Sequence, residues 1–444
     1  MSKTYAQQQV LNSRAASQKL IIAIGSSITV QGLINTSSRF GYDVVGPVEW
    51  AMRFLGWPAQ YLNMAVSGEF TYEIAARIDN MLALRPGIVV CQNGTNEIGT
   101  GIASIIENSI PMYDKILASG AILILQGEAT RTKASSGWDD NNLRTMQAVN
   151  EFKRMYAESH DRCIYSDTNK YLIDPTNAYG EPLSDILRDG THWTGKGAAL
   201  VGKGLATILE GLLLPADPVC ASVLKSDGTY NPYGNEAPNP SFAGTSGTES
   251  TGCSGDTPTG YALSRVSGTT SGTMASTIAE VGGVDPRREA TLTFTPGGST
   301  GTEEFYFATS PSNLTPLHFN SYYEALIHVN VSAWDGWKNI TLEVDDQSTS
   351  QNKTMNDAHN AYVATMTSGG EMPDFAWEGW LKIPAFPVVS DNGITAAAQR
   401  FRLRAGINSA AAGTGIIKLH SPVFRAINPD SRLLVPYQYL NSPV

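Results

Sequence analysis

The stretch Leu20-Ile21-Ile22-Ala23-Ile24-Gly25-Ser26-Ser27 decides how the first half of the chain folds. Its apolar run is too short for a helix, and the Gly-Ser-Ser that follows breaks it as a turn would, so it reads as a buried strand. Four more runs of this kind follow at residues 61–66, 88–91, 121–125 and 163–166, each ending in Gly, Ser, Asn or Asp. Between the runs, residues 47–55, 71–84, 102–117, 141–160 and 196–214 space their apolar side chains as helices do, with Thr71 placed as a cap. Strands alternating with helices imply an α/β domain, a parallel sheet with helices on both faces.

Beyond residue 214 the texture changes. Pro215 and Pro218 lead into a Gly/Ser/Thr/Pro/Asn-rich stretch over 227–260, which reads as a linker or loop-rich lead-in. Residues 289–295, 303–308, 323–331, 339–344, 361–367, 401–405 and 415–424 then alternate apolar with polar side chains, as half-buried antiparallel strands do. The expected organisation is a lead segment at 1–19, the α/β domain at 20–216, the loop-rich stretch at 217–260, and an all-β sandwich or jelly roll at 261–444. Within the last, Trp334-Asp335-Gly336-Trp337 is echoed by Trp377-Glu378-Gly379-Trp380, a similarity too slight to make a repeat.

Length and composition agree with two domains. A chain of 444 residues exceeds what one core organises, and 42 Gly and 23 Pro with only 16% charged residues suit a loop-rich, partly β protein. A net charge of -10 disfavours nucleic acid and anionic membranes as partners. No apolar run reaches the ~18 residues of a membrane span, and residues 1–19 lack the pattern of a secretory signal, so a soluble protein is expected. Cys91 and Cys163 lie in apolar runs and read as buried thiols, while Cys220 and Cys253 are the one candidate pair for a bridge. None of the four has zinc-type spacing.

The candidate chemistry sits where strands end. Ser26 and Ser27 follow the first strand, in the crevice that open α/β sheets use for ligands. Gly68 follows the second, where a glycine lets a backbone N–H approach a substrate oxygen. Asn96, in Gln92-Asn93-Gly94-Thr95-Asn96-Glu97 after the third, offers an uncharged amide donor. Asp189-Gly190-Thr191-His192 precedes the last helix and sets an acid three positions before a histidine, close enough to fix the ring's tautomer.

Taken in order, these four blocks over residues 18–214 resemble the SGNH (GDSL) hydrolase family. The resemblance implies a flavodoxin-like three-layer α/β/α domain and a serine esterase that needs no cofactor and no metal. It implies Ser27 as nucleophile, His192 as general base and acid, Asp189 as the residue orienting His192, and Gly68 and Asn96 as oxyanion donors beside the Ser27 N–H. Two positions depart from the family pattern, which has Asp at both Ser26 and Glu97. Without an evident apolar lid, the substrate expected is a small acyl group, O-acetyl foremost, on a polysaccharide or other glycan, with the four tryptophans available to stack on sugar rings. Other acyl esters, as for a lipase or thioesterase, and a glycan-binding protein with a vestigial site are the alternatives. Esterases joined to β modules also resemble phage tail proteins, which would imply a virion-associated homo-oligomer, a trimer in that setting.

Overall fold

A computed structural model describes residues 20–30, 46–133, 138–213, 234–266, 271–281, 287–309, 321–346, 372–388 and 399–426. These residues fall into two compact units, the first ending at 213 and the second starting at 234.

In the first unit β1 (Leu20–Gly25), β2 (Gln60–Asn63), β3 (Ile88–Gln92), β4 (Ile122–Gln126) and β5 (Cys163–Ser166) pair in parallel, in the order β2-β1-β3-β4-β5. The helices are α1 (Ser27–Val30), α2 (Pro47–Phe54), α3 (Thr71–Ala76), α4 (Ile78–Leu82), α5 (Ile102–Ala118), α6 (Asp140–Ser159), α7 (Asn169–Leu172) and α8 (Gly195–Glu210). Side chains alternate across a strand. Ile21, Ala23, Ile88, Val90, Ile122 and Ile124 pack in one core with Val48, Ala51 and Met52 of α2 and Leu205, Ala206 and Leu209 of α8. Ile22, Ile24, Val89, Cys91, Leu123 and Leu125 are buried on the opposite face. Burial on both faces is why these strands read as unbroken apolar runs.

The expected helix over 71–84 is broken. Arg77 closes α3 and opens α4, and Thr71 is the first helical residue, not the cap. The Thr71 N–H and hydroxyl both donate to the Glu97 carboxylate across the chain, while Glu73 accepts the Phe70 N–H. A tertiary partner has taken over the local capping role.

The second unit holds two sheets, ordered β14-β12-β16-β10-β9-β7 and β13-β15-β11-β8-β6. The strands are β6 (Ser246–Glu249), β7 (Cys253–Gly255), β8 (Thr257–Val266), β9 (Thr273–Val281), β10 (Arg287–Thr295), β11 (Thr302–Thr309), β12 (Ser321–Val331), β13 (Trp337–Asp346), β14 (Trp377–Val388), β15 (Gln399–Asn408) and β16 (Gly415–Ala426). Phe294 of β10 meets Phe305 of β11 at 5.6 Å and Trp337 of β13 at 5.4 Å between ring centroids, so the sheets face each other as a β sandwich.

Three expectations need correction here. The polar stretch expected to be loop contains β6, β7 and the start of β8. β6 and β7 are the edge strands of their sheets, where short polar strands are favoured because apolar ones would invite aggregation. The pairings are not all antiparallel, since β6 runs parallel to β8 and β7 to β9. Trp334, Trp337, Trp377 and Trp380 are all buried, with Trp334 and Trp337 donating their indole N–H groups to the Ala412 and Ser332 carbonyls. Buried in this way they present no ring face for a sugar. Cys253 is a free thiol, and its candidate partner Cys220 lies outside the described residues, as does the expected strand at 361–367.

Candidate active site

Strand order places the first and third strand ends side by side, because the chain leaves β1 for β2 on one side and returns for β3 on the other. Ligand crevices open at such a reversal. Gly25 ends β1 there, and its lack of a side chain is a packing requirement. A Cβ at Gly25 would lie 2.1 Å from Thr29 Oγ1 and 2.5 Å from the Gln92 carbonyl oxygen. The chain can therefore turn tightly into α1, whose first residue is Ser27. The Thr29 hydroxyl donates to the Gln92 side-chain oxygen at 3.1 Å and the Asn63 amide to the Thr29 carbonyl at 2.9 Å, pinning this turn to β3 and β2.

Ser27 Oγ stands 3.0 Å from His192 Nε2. The other ring nitrogen, Nδ1, is 2.7 Å from Asp189 Oδ2, and Asp189 Oδ1 accepts the backbone N–H groups of Thr191 at 3.0 Å and His192 at 2.8 Å. The spacing of three residues thus folds into a small loop closed by its own acid. Burial pushes the Asp189 carboxyl up, but the backbone N–H and ring of His192 and the Thr191 N–H outweigh it and hold the carboxyl below the usual carboxylate value. An ionised acceptor at Nδ1 leaves Nε2 free to accept a proton from the serine. Ser26 is only 2% exposed, and its hydroxyl has no partner among the described residues. Of the two adjacent hydroxyls, the one at the imidazole is Ser27.

Gly68 has φ +85°, a left-handed conformation, and a Cβ there would meet nothing within 4 Å. The residue is glycine for its backbone and not for lack of room. The Asn96 amide donates to the Glu69 carbonyl at 2.8 Å, which spends one of its two N–H bonds on the loop that carries Gly68. Glu97 ties the same two segments through Thr71, and the longer side chain of Glu at this position spans to the helix start. Glu69 in turn pairs with Arg77, whose guanidinium also reaches the Met64 carbonyl at 3.2 Å.

Sequence reading missed the contribution of the fourth strand end. Arg131, on the loop after β4, donates to the Thr95 carbonyl at 2.9 Å and the Thr95 hydroxyl at 3.1 Å, and the next residue, Thr132, donates its N–H to the Gly190 carbonyl at 3.3 Å. One loop therefore braces both the segment bearing Asn96 and the segment bearing His192. Burial lowers the Arg131 guanidinium below the usual arginine value, against the attraction of Glu128 and Asp189. The available signal was topological: every carboxyl end of a parallel sheet faces the crevice, the fourth included. Among the described residues no group of His, Cys, Asp and Glu is arranged to hold a metal ion, and no helix is long and apolar enough to cross a membrane.

Residues 23–200 match the model of the GDSL-like Lipase/Acylhydrolase family. No curated protein matches the chain in sequence. Among solved structures, a GDSL-like lipase from Bacteroides thetaiotaomicron is 18% identical over 47% of this chain and 98% of its own, with a TM-score of 0.36. A catalytic mutant of an acetylxylan esterase from Geobacillus stearothermophilus is 16% identical over 44% of this chain and 94% of its own, with a TM-score of 0.34.

Proposed function

We propose that the protein is a serine esterase that removes small acyl groups, O-acetyl foremost, from a polysaccharide through an acyl-enzyme. The observation that carries this reading is the unbroken hydrogen-bond chain from the Asp189 carboxylate through both nitrogens of His192 to the Ser27 hydroxyl.

In the first half-reaction His192 Nε2 takes the Ser27 proton as Oγ bonds to the ester carbonyl carbon. The negative charge moves to the carbonyl oxygen, where the N–H groups of Ser27 and Gly68 and the second amide N–H of Asn96 neutralise it. The imidazolium, stabilised by Asp189, then gives its proton to the departing sugar oxygen as the carbon–oxygen bond breaks. Water repeats the sequence on the acyl-enzyme, losing a proton to His192, and Ser27 Oγ recovers that proton as acetate leaves.

The segments that carry the candidate residues are polar in sequence, with Asn93, Thr95 and Asn96 on one and Asp189, Thr191 and His192 on another, which suits a small acyl group on a hydrophilic carrier. Two exposed tyrosines sit on adjoining segments, Tyr72 four residues past Gly68 and Tyr179 next to Gly180, whose carbonyl accepts the Thr130 hydroxyl. Tyr72 stacks on Phe70 and Tyr179 carries the Lys133 ammonium over its ring, and the ring surface each leaves exposed is of the kind that suits sugars, which the buried tryptophans do not present.

The test is release of acetate from acetylated polysaccharides and turnover of a chromogenic acetate ester by the full chain, with Ser27→Ala as control. Activity lost in Ser27→Ala supports the reading. Much faster turnover of long-chain esters would replace it with a lipase or thioesterase, and an inert protein that still binds glycan would replace it with a binding protein.

A further inference from the structure

Behind the loop that bears Asn96 lies a fully buried ion pair that the chemistry above does not use. Lys153 of α6 and Glu128, on the loop after β4, are 2.6 Å apart, and both side chains are 0% exposed. The remaining two ammonium N–H bonds of Lys153 go to the Asn93 carbonyl at 2.8 Å and the Gln126 carbonyl at 3.0 Å. All three donors are thereby used, and two hold the carboxyl ends of neighbouring strands, β3 and β4.

Asn93 is the residue from which the loop to Asn96 departs. Its side chain is saturated as well: the amide donates to the Ser109 hydroxyl at 2.7 Å and the Thr71 hydroxyl at 3.3 Å, and the oxygen accepts the Tyr113 hydroxyl at 2.5 Å and the Cys91 thiol at 3.4 Å. Thr71 passes the network on to Glu97, at the far end of the same loop. Glu128 is itself fixed, its backbone N–H donating to the Asn150 side chain at 2.6 Å and its carbonyl accepting the amides of Asn150 and Asn169 at 3.0 Å. A buried ion pair is poor evidence of stability, because desolvation offsets its attraction and an apolar pair of similar volume often serves as well. Retaining one here has a geometric consequence: it sets where the loop begins.

We infer that Lys153, held by Glu128, is a positioning residue for the oxyanion loop, fixing Asn96 through the Asn93 carbonyl. This rests on the esterase reading above. Displacing a donor by about 1 Å costs on the order of 100-fold in turnover, and the effect falls on the transition state, so kcat drops while KM holds.

The experiment is a mutant cycle in kcat on the full chain with a chromogenic acetate ester. It combines Lys153→Met/Glu128→Gln, which removes both charges together, with Asn96→Ala. Alone, the pair variant should lose about 10- to 100-fold in kcat with KM within about threefold. In the Asn96→Ala background it should lose less than about threefold, because the donor it positions is already gone. Lys153→Gln/Glu128→Gln, which keeps a neutral donor at position 153 without leaving a buried charge unpaired, is carried through the same cycle and serves if the first variant does not fold. Non-additivity in a folded variant supports the inference. Losses that multiply in full, as for a general weakening of the fold, overturn it. A wild type without esterase activity would instead remove the functional reading, so the two failures are distinguishable.

Discussion

Replacing Asp189 by Asn tests the site most sharply, because the structure dictates which way the new amide must face. In the carboxylate, Oδ1 accepts two backbone N–H groups, from Thr191 and His192, and Oδ2 faces His192 Nδ1. An asparagine must keep its oxygen on the two backbone donors, since the alternative orientation sets its NH₂ against both. Its NH₂ then faces Nδ1, which can only accept, and the ring proton moves to Nε2, the atom 3.0 Å from Ser27 Oγ. The serine meets a donor where it needs a base. Loss of the orienting carboxylate in Ser-His-Asp triads costs about 10⁴-fold in kcat, or about 5 kcal/mol of transition-state stabilisation. Stability should change little, because the backbone bonds survive and the side chain is 50% exposed. The assay is steady-state hydrolysis of a chromogenic acetate ester with thermal unfolding alongside. A folded Asp189→Asn protein that keeps more than a tenth of wild-type kcat would refute the reasoning. The carboxyl is held below the usual carboxylate value, so its contribution is present above that value and lost only as pH falls through the lowered one. At neutral pH the acid is therefore ionised.

Other substitutions separate roles that the sequence leaves adjacent. Ser26→Ala should keep kcat within about threefold, since it deletes a buried hydroxyl without a partner among the described residues; a loss as deep as that of Ser27→Ala would mean that the wrong serine has been chosen. Asn96→Ala should lower kcat by about 10²- to 10³-fold with KM little changed, and a rise in KM alone would show that the amide binds substrate and not the oxyanion. In the second unit, Glu324 meets Lys382 at 3.0 Å and the Arg425 Nε at 2.8 Å, and although burial pushes its carboxyl up, the two cations outweigh this and bring it down to about 2. Set against the ordinary glutamate value of ~4.3, that gap corresponds to about 3 kcal/mol, present at neutral pH and lost as pH falls through the interval. Glu324→Gln should therefore destabilise the sandwich by about that amount at pH 7 and flatten its acid limb in denaturant unfolding; parallel losses in wild type and variant would contradict this.

The sequence by itself determined the α/β architecture, because strands buried on both faces must be apolar throughout and the helices between them must show a 3.6-residue period. It also put the candidate residues on the segments that follow strand ends, while the contact of His192 with Ser27, 165 positions apart, came from the tertiary structure. Open α/β sheets gather their strand ends on one edge, so Ser27, Gly68 and Asn96 share that edge by topology, and Asp189 and His192 are close in the chain already. What the tertiary structure decided are the contacts that depend on distance across the chain. Glu97 in place of a local cap for α3, Arg131 bracing two loops, and the Lys153–Glu128 pair under Asn93 join residues 25 to 60 positions apart, and no local pattern encodes such a partner. The edge strands β6 and β7 were hidden for a related reason: their polar, glycine-rich composition resembles loop, and only pairing with β8 and β9 makes them strands. Burial of the four tryptophans likewise follows from how strands and loops come together in the sandwich, a choice that the Trp-x-Gly-Trp pattern leaves open.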